Sequence, residues 1–340
     1  MTKRIKLFKM VMVLLAIIST STLVNAAFSA YAFGDYYYML KSSTASQEKL
    51  NGFWLRRVYL TYDADISDKI KARARIEMNS DGKFGPNELT LTPYVKDAYV
   101  SYQFLPLHAL SIGIQESLTF NNIEKFWGYR HLEKTVFDLY KNRSSREFGV
   151  SLKGSFDTGK KFNYAILFGN FSGYKEEIDK YKTIAASFVI NAIPNVMLEV
   201  NGDYAKRSAT KKTYLLQAFA GYQVDWGRIG LNYGQEKIKE TGKADVNFGI
   251  FSAFAVAKFN KFIEAVARYD ISADPQPNGQ NTFLLIEKGY KTNLLMLGLG
   301  WNIHPKFQLM PNVKVVSYKE NNGVKPESFS QFNITFYYVF

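Results

Sequence analysis

The sequence of 340 residues contains no cysteine and only three histidines. The absence of cysteine excludes disulfide bonds and thiolate metal sites. His108, His131 and His304 are too far apart in sequence to form a local metal-binding motif. Beyond its first 26 residues the chain also lacks a run of about 20 apolar residues, the length that a membrane-spanning helix needs. We therefore predict no metal, no cofactor and no transmembrane helix.

The N-terminal residues have the pattern of a secretory signal peptide. Four basic residues precede a short apolar core at 11–18, and residues 24–26 supply the small side chains that signal peptidase requires. A second candidate cleavage site follows Ala32, but cleavage there would remove part of the first strand. We predict cleavage after Ala26, which gives a signal peptide, 1–26, and one mature domain, 27–340. The formal charge then falls from +13 by four, to +9.

The mature chain alternates polar and apolar residues with a period of two. From Ile70 to Asn79 five apolar residues alternate with five polar ones. A strand places two such sets on opposite faces, whereas a helix would mix them. Sixteen segments show this pattern, with fourteen and eighteen as alternative counts: 27–41, 52–63, 70–79, 94–104, 109–116, 146–155, 162–170, 181–191, 196–206, 213–224, 227–236, 246–259, 262–272, 290–303, 307–318 and 328–340.

The connectors between these segments alternate between short turns and longer polar loops, which is typical of outer-membrane barrels. The last segment alternates apolar residues up to Phe340, like the final strand of bacterial outer-membrane proteins. Aromatic residues make up 16% of the chain, and we expect many of them, including Tyr37, Trp54, Trp226 and Trp301, in belts at the membrane interfaces. The predicted fold class is all-β: a transmembrane antiparallel β-barrel of about 16 strands in the cell outer membrane of a Gram-negative-type bacterium.

The lumen-facing residues are the candidate functional residues, because sixteen strands enclose a water-filled channel unless something fills it. A turn at 63–69 would pair the second and third strands so that Arg57 lies opposite Arg75. Like charges directly opposed destabilise a sheet, so a cluster of this kind indicates that these cations have a function. Guanidinium groups in a narrow channel attract anions. The predicted lumen cations are Arg57, Lys71, Arg73 and Arg75; in the alternative interpretation they pair with lumen acids such as Glu77, Asp97 or Glu116 and only fill the wall.

One connector, 117–145, is much longer than the other connectors around it and follows the fifth strand. Its length and position match the loop that folds into 16-stranded porins and narrows them. If it turns inward, its cations set the charge of the constriction: Lys125, Arg130, Lys134 and Arg143. The alternative is an ordinary extracellular cap.

Catalytic and nucleic-acid functions are not predicted. Residues 154–161 resemble a phosphate loop, but Lys161 stands where serine or threonine would bind magnesium. Residues 169–173 have the wrong spacing for a nucleophile elbow. The basic residues are spread through the strands rather than clustered, which argues against nucleic-acid binding.

Several segments resemble the phosphate-selective porin O and P family: residues 55–60 (LRRVYL), 71–77 (KARARIE), 96–100 (KDAYV), 127–130 (WGYR) and 144–150 (SSREFGV). The similarity is best over about residues 50–155. It implies a 16-stranded barrel, usually trimeric, with an arginine-lined route for anions, in which Arg57, Arg73 and Arg75 match as lumen cations.

Together these patterns predict an outer-membrane porin for passive diffusion of small hydrophilic solutes, favouring anions such as phosphate. The expected partners are outer-membrane lipids, the solutes themselves and two further copies of the chain. A less selective porin is one alternative, and an occluded barrel with a structural or adhesion role is another.

Overall fold

A computed structural model of the chain describes residues 25–84 and 91–340. The predicted signal peptide lies outside these residues except for positions 25 and 26, which are the first two residues of a strand. Signal cleavage after Ala26 therefore stays a prediction.

The described residues form eighteen strands, two short α-helices and one 3-10 turn (Ala45–Gln47). The helices are α1 (Asn121–Trp127) and α2 (Val136–Leu139). Neither they nor any other helix in the described ranges has the length and hydropathy needed to cross a membrane. The strands are β1 (Asn25–Lys41), β2 (Asn51–Asp65), β3 (Ile70–Asn79), β4 (Thr92–Leu105), β5 (His108–Glu116), β6 (Arg146–Ser155), β7 (Phe162–Gly169), β8 (Thr183–Ile190), β9 (Val196–Lys206), β10 (Lys211–Val224), β11 (Gly227–Glu240), β12 (Val246–Lys258), β13 (Ile263–Ser272), β14 (Gln280–Thr282), β15 (Leu284–Ile286), β16 (Thr292–His304), β17 (Phe307–Tyr318) and β18 (Phe329–Val339).

Sixteen of the strands form one closed antiparallel barrel, in which β18 pairs with β1. Each barrel strand pairs with its neighbours in sequence, and the small β14–β15 hairpin stands apart from the barrel between β13 and β16. Every one of the sixteen predicted segments corresponds to a barrel strand, so the predicted fold class is confirmed. The even count places both ends of the barrel chain on one side, which is the periplasmic side in barrels with short turns there.

The period-two pattern separates the two faces of the barrel as predicted. On β10, for example, Leu215 and Phe219 are buried on the lumen side, whereas Leu216 and Tyr222 are exposed on the outside. Many large apolar side chains are exposed on the outer face, which suits contact with lipid; they include Ile112, Phe168, Val200, Leu216, Ile229, Leu231, Leu297 and Leu299.

Part of the aromatic belt prediction is wrong. Trp226 and Trp301 are exposed as expected, but Tyr37 and Trp54 are buried in the lumen, where their rings stack 4.0 Å apart. Trp54 also packs on Phe84 and Phe283 from two extracellular loops. These rings therefore line the mouth of the barrel from within rather than facing lipid.

The β2–β3 hairpin has a different register from the one predicted. Strand β2 continues to Asp65, so the turn is at 66–69 and Arg57 lies opposite Asn79 rather than Arg75. Acidic residues then stand opposite two of the predicted cations: Asp63 faces Arg73 and Asp65 faces Lys71. The predicted opposition of like charges is therefore wrong in this hairpin.

Two β-bulges bring additional basic residues to the lumen. Between β1 and β2 the register shifts after the Phe33–Arg57 pair, and Arg56 is the extra residue. Because of this shift Arg56 and Arg57 are both buried inside the barrel, although strict alternation would place one of them outside.

The second bulge lies between β3 and β4. Arg75 pairs with Asp97 and Ile76 pairs with Val95, so Lys96 is the extra residue. Lys96 and Asp97 are consequently both buried on the lumen side. A bulge of this kind redirects a side chain without ending the strand.

Candidate functional site

The long connector after β5, residues 117–145, folds into the lumen as predicted and is called the inner loop below. Its apolar side chains are almost completely buried, among them Trp127, Leu132, Phe137, Leu139 and Tyr140. They pack on apolar residues of the inner wall, which form two clusters with them; the wall residues include Met39, Leu215, Phe219, Phe248, Ile250, Phe254, Val256, Val266, Leu294, Met296, Met310, Val316 and Phe329. The inner loop thus covers the wall from β10 to β18 and β1.

Two wall glycines admit aromatic rings of the inner loop. Gly221 lies against the ring of Phe126, and Gly234 lies against the ring of Phe137. A Cβ atom at either position would collide with the ring, so these glycines permit the close approach of loop and wall.

Polar contacts to backbone carbonyls also fix the inner loop. Gln217 donates to the carbonyl of Thr119 at 3.0 Å, and Arg228 donates to that of Trp127 at 2.8 Å. Within the loop, the indole of Trp127 donates to the carbonyl of Glu133 at 2.8 Å. Since buried carbonyls need partners, these bonds satisfy backbone groups that the fold removes from water.

Extracellular loops roof the same side of the lumen. The β14–β15 hairpin buries Leu284 and Ile286 in the apolar cluster of the inner loop. The backbone N–H of Phe283 donates to the carbonyl of Gly82 at 2.8 Å, which joins this hairpin to the loop after β3. A cavity of about 240 Å³ remains on this side, beside His131 and Gln308. Further space lies on the other side, between the inner loop and strands β1–β9.

Three cavities occupy this space. The central cavity, of about 220 Å³, lies between the inner loop and the wall from β1 to β6. The vestibule cavity, of about 320 Å³, reaches the extracellular loops at Phe171 and Arg207. The lower cavity, of about 300 Å³, reaches the periplasmic turns at Gly154 and Asn191. Ser117 lines both the vestibule and the central cavity, and Asn121 lines both the central and the lower cavity.

Beside the central cavity, the barrel contains a network of four cations around two buried carboxylates. Glu77 pairs with Arg57 and, at 2.9 Å, with Lys96. Asp97 pairs with Arg146 and, at 3.3 Å, with Arg75. Both carboxylates are fully buried. Because cations outnumber carboxylates, this basic wall (Arg57, Arg75, Lys96, Arg146) keeps a positive excess.

Each of the eight predicted lumen cations has a carboxylate within 4.0 Å. In addition to Arg57 and Arg75, the pairs are Lys71–Asp65 at 3.1 Å, Arg73–Asp63 at 2.6 Å, Lys125–Glu116 at 3.6 Å, Arg130–Glu124 at 3.4 Å, Lys134–Asp138 at 3.1 Å and Arg143–Asp203 at 2.8 Å. Arg57 and Arg75 thus contact Glu77 and Asp97, the acids that the alternative interpretation names, whereas Lys71 and Arg73 contact acids of their own hairpin.

The predicted cations do not all lie at one place. Arg75, Lys125 and Arg130 line the central cavity, and Lys134 and Arg143 line the vestibule cavity. The others, Arg57, Lys71 and Arg73, line none of the three cavities. Lys71 and Arg73 lie near the turn at 66–69, away from the inner loop.

Five further basic residues line the cavities and are not among the eight predicted lumen cations: Lys96, Lys141, Arg146, Lys153 and Arg207. Lys96 was missed because alternation places it outside, and the bulge reverses it. Lys153 lies within the predicted strand 146–155, so the alternation of lumen-facing residues could have identified it. Arg146 is the first residue of that strand. Arg207 lies in a connector, where no periodic pattern exists to indicate its direction.

Among residues 25–84 and 91–340, no three histidine, aspartate or glutamate side chains lie close enough to hold a metal ion.

Solved structures of bacterial outer-membrane proteins have the same fold. The anion-selective porin of Comamonas acidovorans shares 12% sequence identity, with a TM-score of 0.69 over 93% of this chain and 100% of that chain. OmpF of Salmonella typhi, in complex with daunomycin, shares 10% identity, with a TM-score of 0.68 over 93% and 97%. The trimer form of OmpT of Vibrio cholerae, folded in vitro, shares 10% identity, with a TM-score of 0.64 over 93% and 99%.

No protein-family model and no curated protein sequence matches the chain. The resemblance to the phosphate-selective porin O and P family is therefore not confirmed. The fold itself is that of bacterial outer-membrane porins. With its closed barrel and apolar outer face, the chain is a protein of the Gram-negative outer membrane.

Proposed function

We propose that the chain is a porin through which small hydrophilic solutes diffuse passively, with a preference for anions. The route passes the vestibule, central and lower cavities in turn, between the inner loop and the wall of β1–β9. The inner loop narrows the lumen and sets the size of solute that passes.

The charge of the central cavity carries this proposal. Five cations line it against two carboxylates: Arg75, Lys96, Lys125, Arg130 and Arg146 against Glu116 and Glu124. The lower cavity adds Lys153 and has no acidic lining residue. A narrow channel with one excess sign of charge concentrates the opposite ion and lowers its barrier to passage. The pairing of the individual cations weakens this preference but leaves the excess.

Phosphate is one of the anions that such a channel would pass, because guanidinium groups bind its oxygens in pairs. The geometry does not single it out, since each arginine of the central cavity already contacts a carboxylate. We therefore propose a general preference for small anions that includes phosphate.

We further propose a homotrimer, the state named for one of the solved structures above.

Recording from the purified protein in a planar lipid bilayer tests the proposal. Steady single-channel conductance is expected, and under a KCl gradient the reversal potential should lie toward the chloride equilibrium potential. A barrel without steady conductance would contradict the porin function and favour an occluded barrel with a structural role. A reversal potential on the potassium side would contradict the anion preference alone.

The variant Lys125→Gln identifies the source of the preference. Lys125 lines the central cavity, and its side chain is 66% exposed, so its removal leaves the buried network intact. Lys325→Gln, which removes the same charge from an exposed extracellular loop, is the matched control. The reversal potential should move toward the potassium equilibrium potential only in Lys125→Gln.

A mild detergent gel tests the proposed trimer. It should show an oligomer band that heating converts to the monomer.

A further inference from the structure

The vestibule cavity contains three charged side chains without an oppositely charged partner. Arg207, Lys141 and Glu147 line it, and within the described residues none of them has an opposite charge within 4.0 Å. The other charged residues of the cavity differ, since Lys134 pairs with Asp138 and Arg143 with Asp203. Two cations and one carboxylate are thus left for a solute.

Both cations are held in place without a carboxylate. The guanidinium of Arg207 lies over the ring of Phe171, 4.9 Å from its centre, and the ammonium of Lys141 donates to Asn281 at 3.2 Å. Burial, and then the neighbouring cation of Arg143, lower the pKa of Arg207. Burial and Lys134 lower the pKa of Lys141 in the same way. A bound anion would favour the charged form of either group.

The free carboxylate contacts the same residue as Arg207 does. Glu147 accepts a hydrogen bond of 2.7 Å from the backbone N–H of Phe171, the residue whose ring contacts Arg207. Glu147 and Arg207 therefore contact one residue at its backbone and at its ring. A dipeptide in extended form spans about 7 Å, which is long enough to contact two groups placed at opposite ends of Phe171.

The remaining lining suits a small amphipathic solute. Ser144, Ser172 and Thr183 line the cavity together with Leu118 and Leu167. The volume of about 320 Å³ lies at the small end of ligand pockets, which begin at roughly 300 Å³.

We propose that the vestibule cavity binds solutes with two carboxylates and one ammonium group, that is, acidic amino acids and acidic dipeptides, before they enter the constriction. Arg207 and Lys141 bind the two carboxylates, and Glu147 binds the ammonium. This inference rests on the proposed porin function, and it names the class of solute that the channel favours.

Three solutes of similar size test the proposal: glutamate, glutarate, which lacks the ammonium, and glutamine, which lacks the second carboxylate. Each is added to the extracellular side of single channels in a planar bilayer, and the block of the chloride current is titrated. Glutamate should block at the lowest concentration. In Glu147→Gln, which keeps an oxygen for the Phe171 N–H, the advantage of glutamate over glutarate should fall by about threefold, as for one partly exposed charge pair.

Further variants separate a binding role from a structural one. Arg207→Gln should weaken block by glutamate and by glutarate alike, whereas Lys325→Gln on the distant exposed loop should change neither. The unblocked chloride conductance of each variant shows that its channel is folded and open. Equal block by all three solutes in a conducting wild-type channel would overturn this inference and leave the porin function standing. Loss of conductance in the wild type would overturn the porin function itself.

Discussion

Lys314 on β17 and Glu133 on the inner loop form an ion pair with 2.9 Å between Nζ and Oε2, and both side chains are almost fully buried. The same ammonium donates to the carbonyl of Leu132 at 2.8 Å. Because β17 is far around the barrel from β5 and β6, where the loop begins and ends, this pair holds the loop tip against the opposite wall.

Removal of the cation of this pair should destabilise the barrel. In Lys314→Met, Glu133 stays buried without its partner, and breaking a buried pair costs about 3–5 kcal/mol. We expect a lower unfolding temperature and larger, noisier single-channel currents. The double variant Lys314→Met with Glu133→Gln should regain most of the unfolding temperature, because neither position of the pair then carries a charge. Equal unfolding temperatures for the single variant and the wild type would show that the pair does not hold the loop.

The bulge residue Lys96 should affect ion selectivity more than a lysine of the periplasmic end. Lys96 lies in the basic wall and lines the central cavity, whereas Lys71 is 65% exposed and pairs with Asp65 near a turn. A charge that lines the narrow central cavity acts on every passing ion, whereas Lys71 lines none of the three cavities. Lys96→Gln should move the reversal potential toward cations, and Lys71→Gln, with the same loss of charge, should leave it nearly unchanged. Equal shifts of the reversal potential in both variants would contradict the assignment of the anion preference to the central cavity.

The barrel and its sixteen strands could be predicted from the sequence. The positions and partners of the charged residues on its inner wall could not. Alternation located all sixteen strands because each must present one face to lipid and the other to the lumen, a constraint that acts on every residue. Arg56 and Lys96 break this rule at bulges, where an extra residue changes face without a change in composition. The register of the β2–β3 hairpin failed for a related reason, since the polar stretch that indicated a turn included Asp63 and Asp65, which are strand residues paired with cations.

The inner loop could be located but its contacts could not be predicted. Its length and position indicated an inward fold, and the structure confirms this. The apolar wall on which it packs, including Phe219 and Phe254, has the same alternation as a lipid-facing row, so periodicity cannot distinguish a lumen side chain that a loop will cover. Contacts such as that of Arg207 with Phe171 join two connectors, and connectors have no period.

The stability of the barrel should fall in acid because of His131. This residue lies in the inner loop, where its ring contacts Gln308 at 2.8 Å, and burial lowers its pKa from 6.5 to about 3. Between these two values the unfolded state binds more protons than the folded state, so the folded state loses stability as the pH falls from about 6.5 toward 3, by up to about 1.4 kcal/mol per pH unit. Thermal unfolding followed by circular dichroism should show a smaller loss between pH 6 and 4 in His131→Gln, which keeps a partner for Gln308 but does not titrate. Parallel curves for the two proteins would contradict this account.

The β14–β15 hairpin should restrict the extracellular mouth. Replacing residues 279–287 by a short glycine-serine link removes Leu284 and Ile286 from the apolar cluster of the inner loop. We expect a larger single-channel conductance, because the roof over the β10–β18 side opens and the loop below loses packing. Shortening the exposed loop at 241–245, which has no residue in that cluster, is the control. If both deletions change the conductance equally, the hairpin is an ordinary surface loop.

The pairing of β1 with β18 joins the two ends of the described chain. The side chains of Thr335 and Asp35, 300 residues apart, are hydrogen-bonded at 2.6 Å across this seam. Until the final strand has been synthesised, β1 has an unpaired edge, and such edges pair readily with other chains. Strand β18 covers this edge in the closed barrel, so a chain truncated before β18 would be expected to aggregate rather than insert with a gap in its side.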